Sequence, residues 1–241
     1  IAGQEAGYPG VLGTGVVKLP ELNCGRTGLT EAQAKEAGFD VVTALSVADD
    51  KAHYYPGASS FITKLIADRA SRRLLGLQVL GAGAVDKMTD IAATAIAMKA
   101  TLEDLESLDL AYAPPFSTAI HPFVLAVHVL QNKMDGALES ITPAEFQAGK
   151  AKGYRILDVS LSPSIRGAQY IELGKVNGPI EGIGKDEKLL LICQKGKRSY
   201  FLQSRLKHYG YTNTVTLEGG LTFSEVKVAV SAAVTPEEEK A

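Results

Sequence analysis

The sequence has only two cysteines, Cys24 and Cys193, and they stand far apart in the chain. That scarcity excludes a disulfide framework and fits a reducing, cytoplasmic compartment. An excess of one charge is also missing: 25 Lys and Arg stand against 27 Asp and Glu, a net charge of −2. No basic field is therefore available to hold nucleic acid or an anionic membrane surface. No apolar run approaches the roughly 20 residues needed to cross a bilayer. No basic stretch followed by an apolar core marks an export signal, and there is no internal repeat. One segment is compositionally biased, the acidic tail over 231–241, which reads as a frayed and solvated end. No metal site is expected.

What is present is an ordinary globular composition, 46% hydrophobic and 22% charged, able to bury proper cores. Length favours two domains. We place them at 1–135 and 142–230, joined by the polar, turn-rich stretch NKMDGALESITP (132–143). The chain opens on Ile1 inside a glycine-rich stretch that reads like the middle of a protein, so a preceding N-terminal part is expected.

In the first half, residues 14–19 and 40–48 are rich in Val and Thr and predict strands. Between them LTEAQAKEAGF predicts a short helix, capped by Thr30 and ended by Gly38. Residues 59–81 carry two apolar runs around the polar turn Asp68–Arg73, a hairpin signature. Val85, Met88, Ala92 and Ala95 fall at helical spacing and predict a helix with one apolar stripe. A short helix follows at 102–108, and Pro114–Pro115 stops the chain. The segment 122–134 begins with Pro122 and is apolar nearly all round, which predicts a buried helix, with a second subunit as a candidate cover. In the second half, RILDVS and KLLLICQ are continuous apolar runs flanked by helical stretches at 143–151 and 198–209. That pattern predicts a parallel α/β sheet buried on both faces.

The second of these apolar runs delivers Cys193 to the carboxyl end of a buried strand, where open α/β sheets hold their ligands. Gln194, Lys195, Gly196 and Lys197 make a tight turn, and Arg198 and Ser199 open a helix. Turn amides, a helix N-terminus and three cations all favour a thiolate over a thiol, which is the form a cysteine nucleophile uses. An inert buried strand-end cysteine is the plain alternative. Cys24, with no helix N-terminus or histidine beside it, reads as structural.

The run Cys193-Gln194-Lys195-Gly196-Lys197-Arg198-Ser199 resembles the C-x-x-G-x-R-S active-site loop of rhodanese domains. The resemblance extends over 142–226 through ITPAEF, RILDV, IRGA and TVTLEGGL. It implies that Cys193 carries a sulfane sulfur as a persulfide. Gln194, Lys195, Gly196, Lys197 and Ser199 would then form the substrate cradle, and Arg198 would orient an anionic thiosulfate or polysulfide. Arg198 lies five positions after Cys193, one fewer than in tyrosine-phosphatase loops, and the shorter cradle suits a sulfur atom better than a phosphate group. The chain departs from the rhodanese pattern at Ser160, at the missing histidine before IRGA and in a short 161–188 segment.

In the first half, tyrosines sit on Pro- and Gly-bearing turns in HYYPGA (53–58) and LAYAPPFSTAIHPF (110–123). Together with GTGVVKL, TGLTEAQAKEAGFD, LLGLQVLG and GAVDKMTDIAATAI, these phrases resemble the C-terminal dimerisation domain of flavoprotein pyridine nucleotide–disulfide reductases. The nearest branch is that of coenzyme A-disulfide reductases, NADH oxidases and NAD(P)H polysulfide/persulfide reductases. The resemblance implies an α+β dimerisation domain followed by an α/β rhodanese-like domain with a parallel sheet. It also implies a homodimer formed through 1–135, with Tyr54 and Tyr112 as catalytic phenols reaching toward a partner's cysteine. FAD, NAD(P)H and possibly CoA would serve the full-length protein, on N-terminal domains absent from this sequence, and none is expected to bind here. GVLGTG (10–15) lacks the strand–loop–helix context of a nucleotide loop. His121, before Pro122, is read as a helix cap.

The function expected is the C-terminal portion of a flavin-dependent CoA-disulfide, polysulfide or persulfide reductase with a sulfur-carrying rhodanese domain, acting on small sulfur compounds. Two alternatives stay open: a stand-alone thiosulfate sulfurtransferase, and a dimerising module whose cysteine loop is idle.

Overall fold

A computed structural model describes residues 10–226 together with Gly3, Gly7 and Tyr8; the acidic tail lies outside the described residues. The chain divides into two compact units, Ile1–Leu138 and Glu139–Ala241.

The first unit is built on β1 (Gly15–Lys18), β2 (Asn23–Gly28), β3 (Val41–Asp49), β4 (Ser60–Asp68) and β5 (Leu74–Gly81). They form one antiparallel sheet in the order β1-β2-β5-β4-β3. The helices are α1 (Glu31–Glu36), α2 (Val85–Ala97), α3 (Leu102–Leu105) and α4 (Pro122–Met134). Thr30 and Gln33 make a reciprocal capping box that starts α1, as the sequence predicts for Thr30. The hairpin turn between β4 and β5 is held by Asp68, whose carboxylate accepts the Ser71 amide (2.9 Å), the Ser71 hydroxyl (2.6 Å) and the Asp40 amide (3.1 Å). Those donors hold its carboxyl below the usual range.

The stripe on α2 is buried as its spacing requires, and Val85, Met88, Ala92 and Ala95 share one core with Phe61, Leu65, Leu77 and Val79 of the sheet. Helix α4 joins the same core through Phe123, Val124, Ala126, Val127 and Leu130. On that face its cover comes from strands β3 and β4 of its own unit. Each such fully buried Leu, Val or Phe side chain contributes roughly 1.5–3 kcal/mol.

The second unit holds β6 (Ser140–Ile141), β7 (Arg155–Asp158), β8 (Gln169–Tyr170), β9 (Leu189–Ile192) and β10 (Thr214–Leu217), with α5 (Pro143–Gln147), α6 (Lys197–His208) and α7 (Gly220–Phe223). The sheet order is β6-β10-β9-β7-β8, with every neighbouring pair parallel. Because side chains alternate along a strand, central β9 feeds both cores. Leu189 and Leu191 pack with Leu202 and Leu206 of α6, while Leu190 and Ile192 pack with Ile141 and Leu217. That is why β9 reads as an unbroken apolar run. Ser140 and Ile141, which the sequence reading leaves in the joint, pair with Thr216 and Leu217 and so belong to the sheet.

Candidate active site

Strand β9 carries the chain to Cys193 at the carboxyl edge of the sheet. The alternation that buries Leu189 and Leu191 places Cys193 on the same face, 2% exposed. Beside it runs the end of β7, where the Val159 amide donates to the Ile192 carbonyl at 2.8 Å. The loop then turns at Gly196, whose φ of 89° is a left-handed conformation that a side chain would disfavour. Gly196 is also the N-cap of α6 and, lacking a side chain, caps none of its first-turn amides. These donors lie at the positive end of a 12-residue helix.

A pair of glycines completes the loop from outside. Gly219 and Gly220 both have positive φ, 73° and 53°. The turn they make brings the Leu221 amide to the Cys193 carbonyl (3.1 Å) and the Thr222 amide and hydroxyl to the Gln194 carbonyl (2.9 and 2.8 Å). A Cβ on Gly220 would lie 2.0 Å from the Cys193 carbonyl oxygen, so only glycine allows this approach. In a trans peptide the N–H points opposite to the C=O. With both carbonyls turned to α7, the amides of Gln194 and Lys195 are aimed the other way, across the loop.

The side chains take distinct positions. Gln194 and Lys197 are exposed, and Lys195, Gly196 and Arg198 are half-buried. The Lys197 ammonium leans over the Phe201 ring, 5.8 Å from its centroid. The Arg198 Nε donates to the Val159 carbonyl at 2.7 Å, tying the start of α6 to the end of β7. Ser199 is fully buried, and its hydroxyl and that of Ser160 have no partner among the described residues. Next to Ser160, the Asp158 carboxylate accepts the amides of Ser160 (3.0 Å), Ser164 (2.6 Å) and Ile165 (3.0 Å) and so folds the following turn against β7. The result is a sequestered thiol beneath a loop of aimed amides, with basic side chains at its rim.

Cys193 to Ser199 thus form one continuous loop and helix start. Tyr54 and Tyr112 lie in the other unit, at its surface, 71% and 54% exposed. Tyr54 stands on a turn closed by Tyr55 amide to Ala52 carbonyl (2.8 Å) and Ala58 amide to Tyr55 carbonyl (3.0 Å), with His53 edge-on to its ring. His121 caps α4, its Nδ1 accepting the Phe123 amide at 3.2 Å. Cys24 is half-buried in β2, paired in register with Leu80 and Val17. Gly10, Gly13 and Gly15 run into edge strand β1, with no helix behind them. A dinucleotide loop needs strand, glycine loop and helix in succession, so these residues do not supply one. The sequence reading passed over Asp158 and Gly219–Thr222; the adjacent glycines of LEGGL were the available signal for the latter.

Residues 15–123 match the pyridine nucleotide-disulphide oxidoreductase dimerisation domain, and residues 142–222 match the rhodanese-like domain. The chain pairs these two domains. The Pyrococcus furiosus NAD(P)H sulfur oxidoreductase (CoA-dependent) is 44% identical over 131 residues, which are 54% of this chain and 29% of that protein. Among solved structures, a NAD-dependent persulfide reductase from A. fulgidus superposes with a TM-score of 0.83 at 36% identity, over 91% of this chain and 40% of that one. Reduced CoADR-RHD of Bacillus anthracis gives 0.80 at 32% identity, over 88% and 39%. The chain thus spans less than half the length of these relatives. In both structural matches the likeness runs across the two domains, as the sequence reading expected.

Proposed function

We propose that this chain is the C-terminal portion of a flavin- and NAD(P)H-dependent reductase of persulfides, polysulfides or CoA disulfide. In this reading Cys193 holds or delivers sulfane sulfur. The observation that carries it is the cysteine loop: a buried Cys193 whose next two amides point away from the Gly219–Thr222 clamp, beside an uncapped helix start. The likeness to persulfide reductase along 91% of the chain supports it.

The transfer needs only the chain, a sulfur donor and a thiolate acceptor. The Cys193 thiolate attacks the outer sulfur of thiosulfate; a cysteine S–S bond forms, the donor's S–S bond breaks, and sulfite leaves with the electron pair. The terminal sulfur now bears the negative charge, which inward amides and the α6 N-terminus stabilise. A thiolate acceptor then attacks that sulfur and restores Cys193. Arg198 fixes the loop through the Val159 carbonyl, while Lys195 and Lys197 draw anionic donors to the rim. In the longer protein, FAD would relay electrons from NAD(P)H, held by domains outside this chain. Tyr54 and Tyr112, exposed on the dimerisation domain, would donate protons to a leaving thiolate. A dimer formed through the first unit would bring them to a partner, and a cytoplasmic setting suits the free thiols.

Mass spectrometry tests the carrier step. After thiosulfate or polysulfide, the wild-type chain gains one sulfur at Cys193 and Cys193→Ser gains none there. If reduced, folded wild type takes up no sulfur, the idle-loop reading stands instead.

A further inference from the structure

Among the described residues of the second unit, three large apolar side chains are exposed: Leu161 (84%), Phe201 (43%) and Phe223 (48%). Each stands close in the chain to a direct contact with the cysteine loop. Leu161 comes two residues after Val159, whose carbonyl accepts the Arg198 Nε at 2.7 Å. Phe201 lies one turn of α6 beyond Lys197, and the Lys197 ammonium leans over its ring. Phe223 follows Thr222, whose amide and hydroxyl hold the Gln194 carbonyl. Single exposed apolar side chains are ordinary on a protein surface. Here three separate elements each leave one at the same loop, and the other described residues of this unit leave none.

Thiosulfate and polysulfide are small anions that draw on charge and amides, so this apolar rim serves them in nothing. Cys193 is 2% exposed, and only a group that projects from its carrier reaches it. The rim is also basic. Over 159–161, 193–201 and 219–225 the charged residues are Lys195, Lys197, Arg198 and Glu225, three cations against one acid. Lys197 is exposed, with no ion pair among the described residues. Apolar side chains around an unpaired cation suit a partner that is apolar and acidic at once.

We propose that this rim docks an extended protein segment in which a cysteine stands between apolar and acidic residues, and that this cysteine accepts the sulfur carried by Cys193. The acceptor role rests on the carrier reading; the docking does not. Apolar side chains of the segment cover Leu161, Phe201 and Phe223, and an acidic one pairs with Lys197. The segment's thiolate attacks the outer sulfur of the Cys193 persulfide. A new S–S bond forms on the partner, the Cys193 S–S bond breaks, and Cys193 leaves as a thiolate with the electron pair. The persulfide changes hands with no outside oxidant or reductant.

Two measurements on the whole chain test this. The first adds the end-blocked peptide Asp-Leu-Ser-Phe-Glu, a serine in place of the cysteine, and separately Lys-Leu-Ser-Phe-Lys, and follows backbone amides by NMR. Saturable movement of the Leu161, Phe201 and Phe223 amides is expected with the acidic peptide, and binding about tenfold weaker with the basic one. The double variant Phe201→Ser with Phe223→Ser should weaken the acidic peptide by about tenfold; both side chains are exposed, and circular dichroism checks the fold. The second loads Cys193 from thiosulfate and compares transfer to Asp-Leu-Cys-Phe-Glu with transfer to dithiothreitol. The double variant should slow the first by about tenfold and the second by no more than about twofold. If the acidic peptide moves none of these amides, or the double variant binds it as well as wild type, the proposal is overturned whatever Cys193 carries. Equal slowing of both acceptors overturns the acceptor role. If the peptide binds as expected while Cys193 takes up no sulfur, the docking surface stands and the acceptor role falls with the carrier reading.

Discussion

The Arg198 Nε donates to the Val159 carbonyl at 2.7 Å, joining the first turn of α6 to the end of β7 across the cysteine loop. This bond gives the arginine an anchoring role in addition to its charge. A lysine keeps the charge but has no planar guanidinium to make the same bond. Arg198→Lys and Arg198→Ala should therefore lose similar stability, about 1.5–3 kcal/mol for a hydrogen bond to a charged group, measured by urea unfolding. Sulfur uptake at Cys193 should fall in both. Full uptake and stability in Arg198→Lys, with loss only in Arg198→Ala, would show that charge alone matters.

Gly220→Ala should damage the loop without touching the cysteine. The new Cβ would meet the Cys193 carbonyl at 2.0 Å, and the backbone would hold a non-glycine residue at φ 53°. The left-handed conformation alone costs about 1–2 kcal/mol, and the clash forces the Cys193 and Gln194 carbonyls off their clamp. We expect a lower unfolding midpoint and a marked loss of persulfide formation, read by mass spectrometry. Gly182→Ala, at an exposed turn with nothing within 4 Å of its added Cβ, is the control for positive φ without the clash (φ 72°).

Stability should depend on His121 in acid. Its folded pKa is depressed from 6.5 to about 4 by burial and by Lys87. Between those values the unfolded chain binds more protons than the folded one, so stability falls as pH drops from 6.5 toward 4 and is fully present above 6.5. His121→Asn should flatten this part of the curve in pH-dependent urea unfolding. An unchanged slope over that window would contradict the assignment.

The dimerisation domain should make the chain a dimer in sedimentation experiments. Its surface exposes large apolar side chains, including Phe116 (74%) and Ile120 (54%) on the segment that carries Tyr112. Large apolar side chains left exposed together on one short segment make it the candidate interface. Phe116→Asp with Ile120→Asp should shift the chain toward monomer while leaving the far-ultraviolet spectrum unchanged. A dimer of undiminished stability would place the interface elsewhere.

Much of this was legible in the sequence wherever one physical signal dominated. Leu189–Ile192 reads as a strand buried on both faces because each residue packs into one of two cores. The stripe of α2 reads correctly because its four residues all face one sheet. Strand β2 was harder: NCGRTG has little strand-forming composition and is held by pairing with β1 and β5 on either side. Strands β6 and β8, two residues each, are shorter than any periodicity can reveal. For α4, a pattern apolar nearly all round specifies burial but not what does the burying. At the candidate site, residue spacing placed a cysteine, a glycine and an arginine in one loop. It could not show that Arg198 reaches back to Val159, or that a turn some 25 residues later closes on the loop, because both depend on which strands, 25 to 34 residues apart in the chain, come to lie side by side.

That closure has a consequence for synthesis on the ribosome. Strand β10 completes the sheet between β6 and β9, and the residues just after it supply the donors that clamp the Cys193 and Gln194 carbonyls. The nascent chain therefore exposes Cys193 as an ordinary, unshaped thiol until Thr214–Thr222 have emerged and docked. A stop codon placed between Tyr211 and Thr214 would remove no residue of the cysteine loop, yet it would leave β6 without its neighbour and the loop without its clamp.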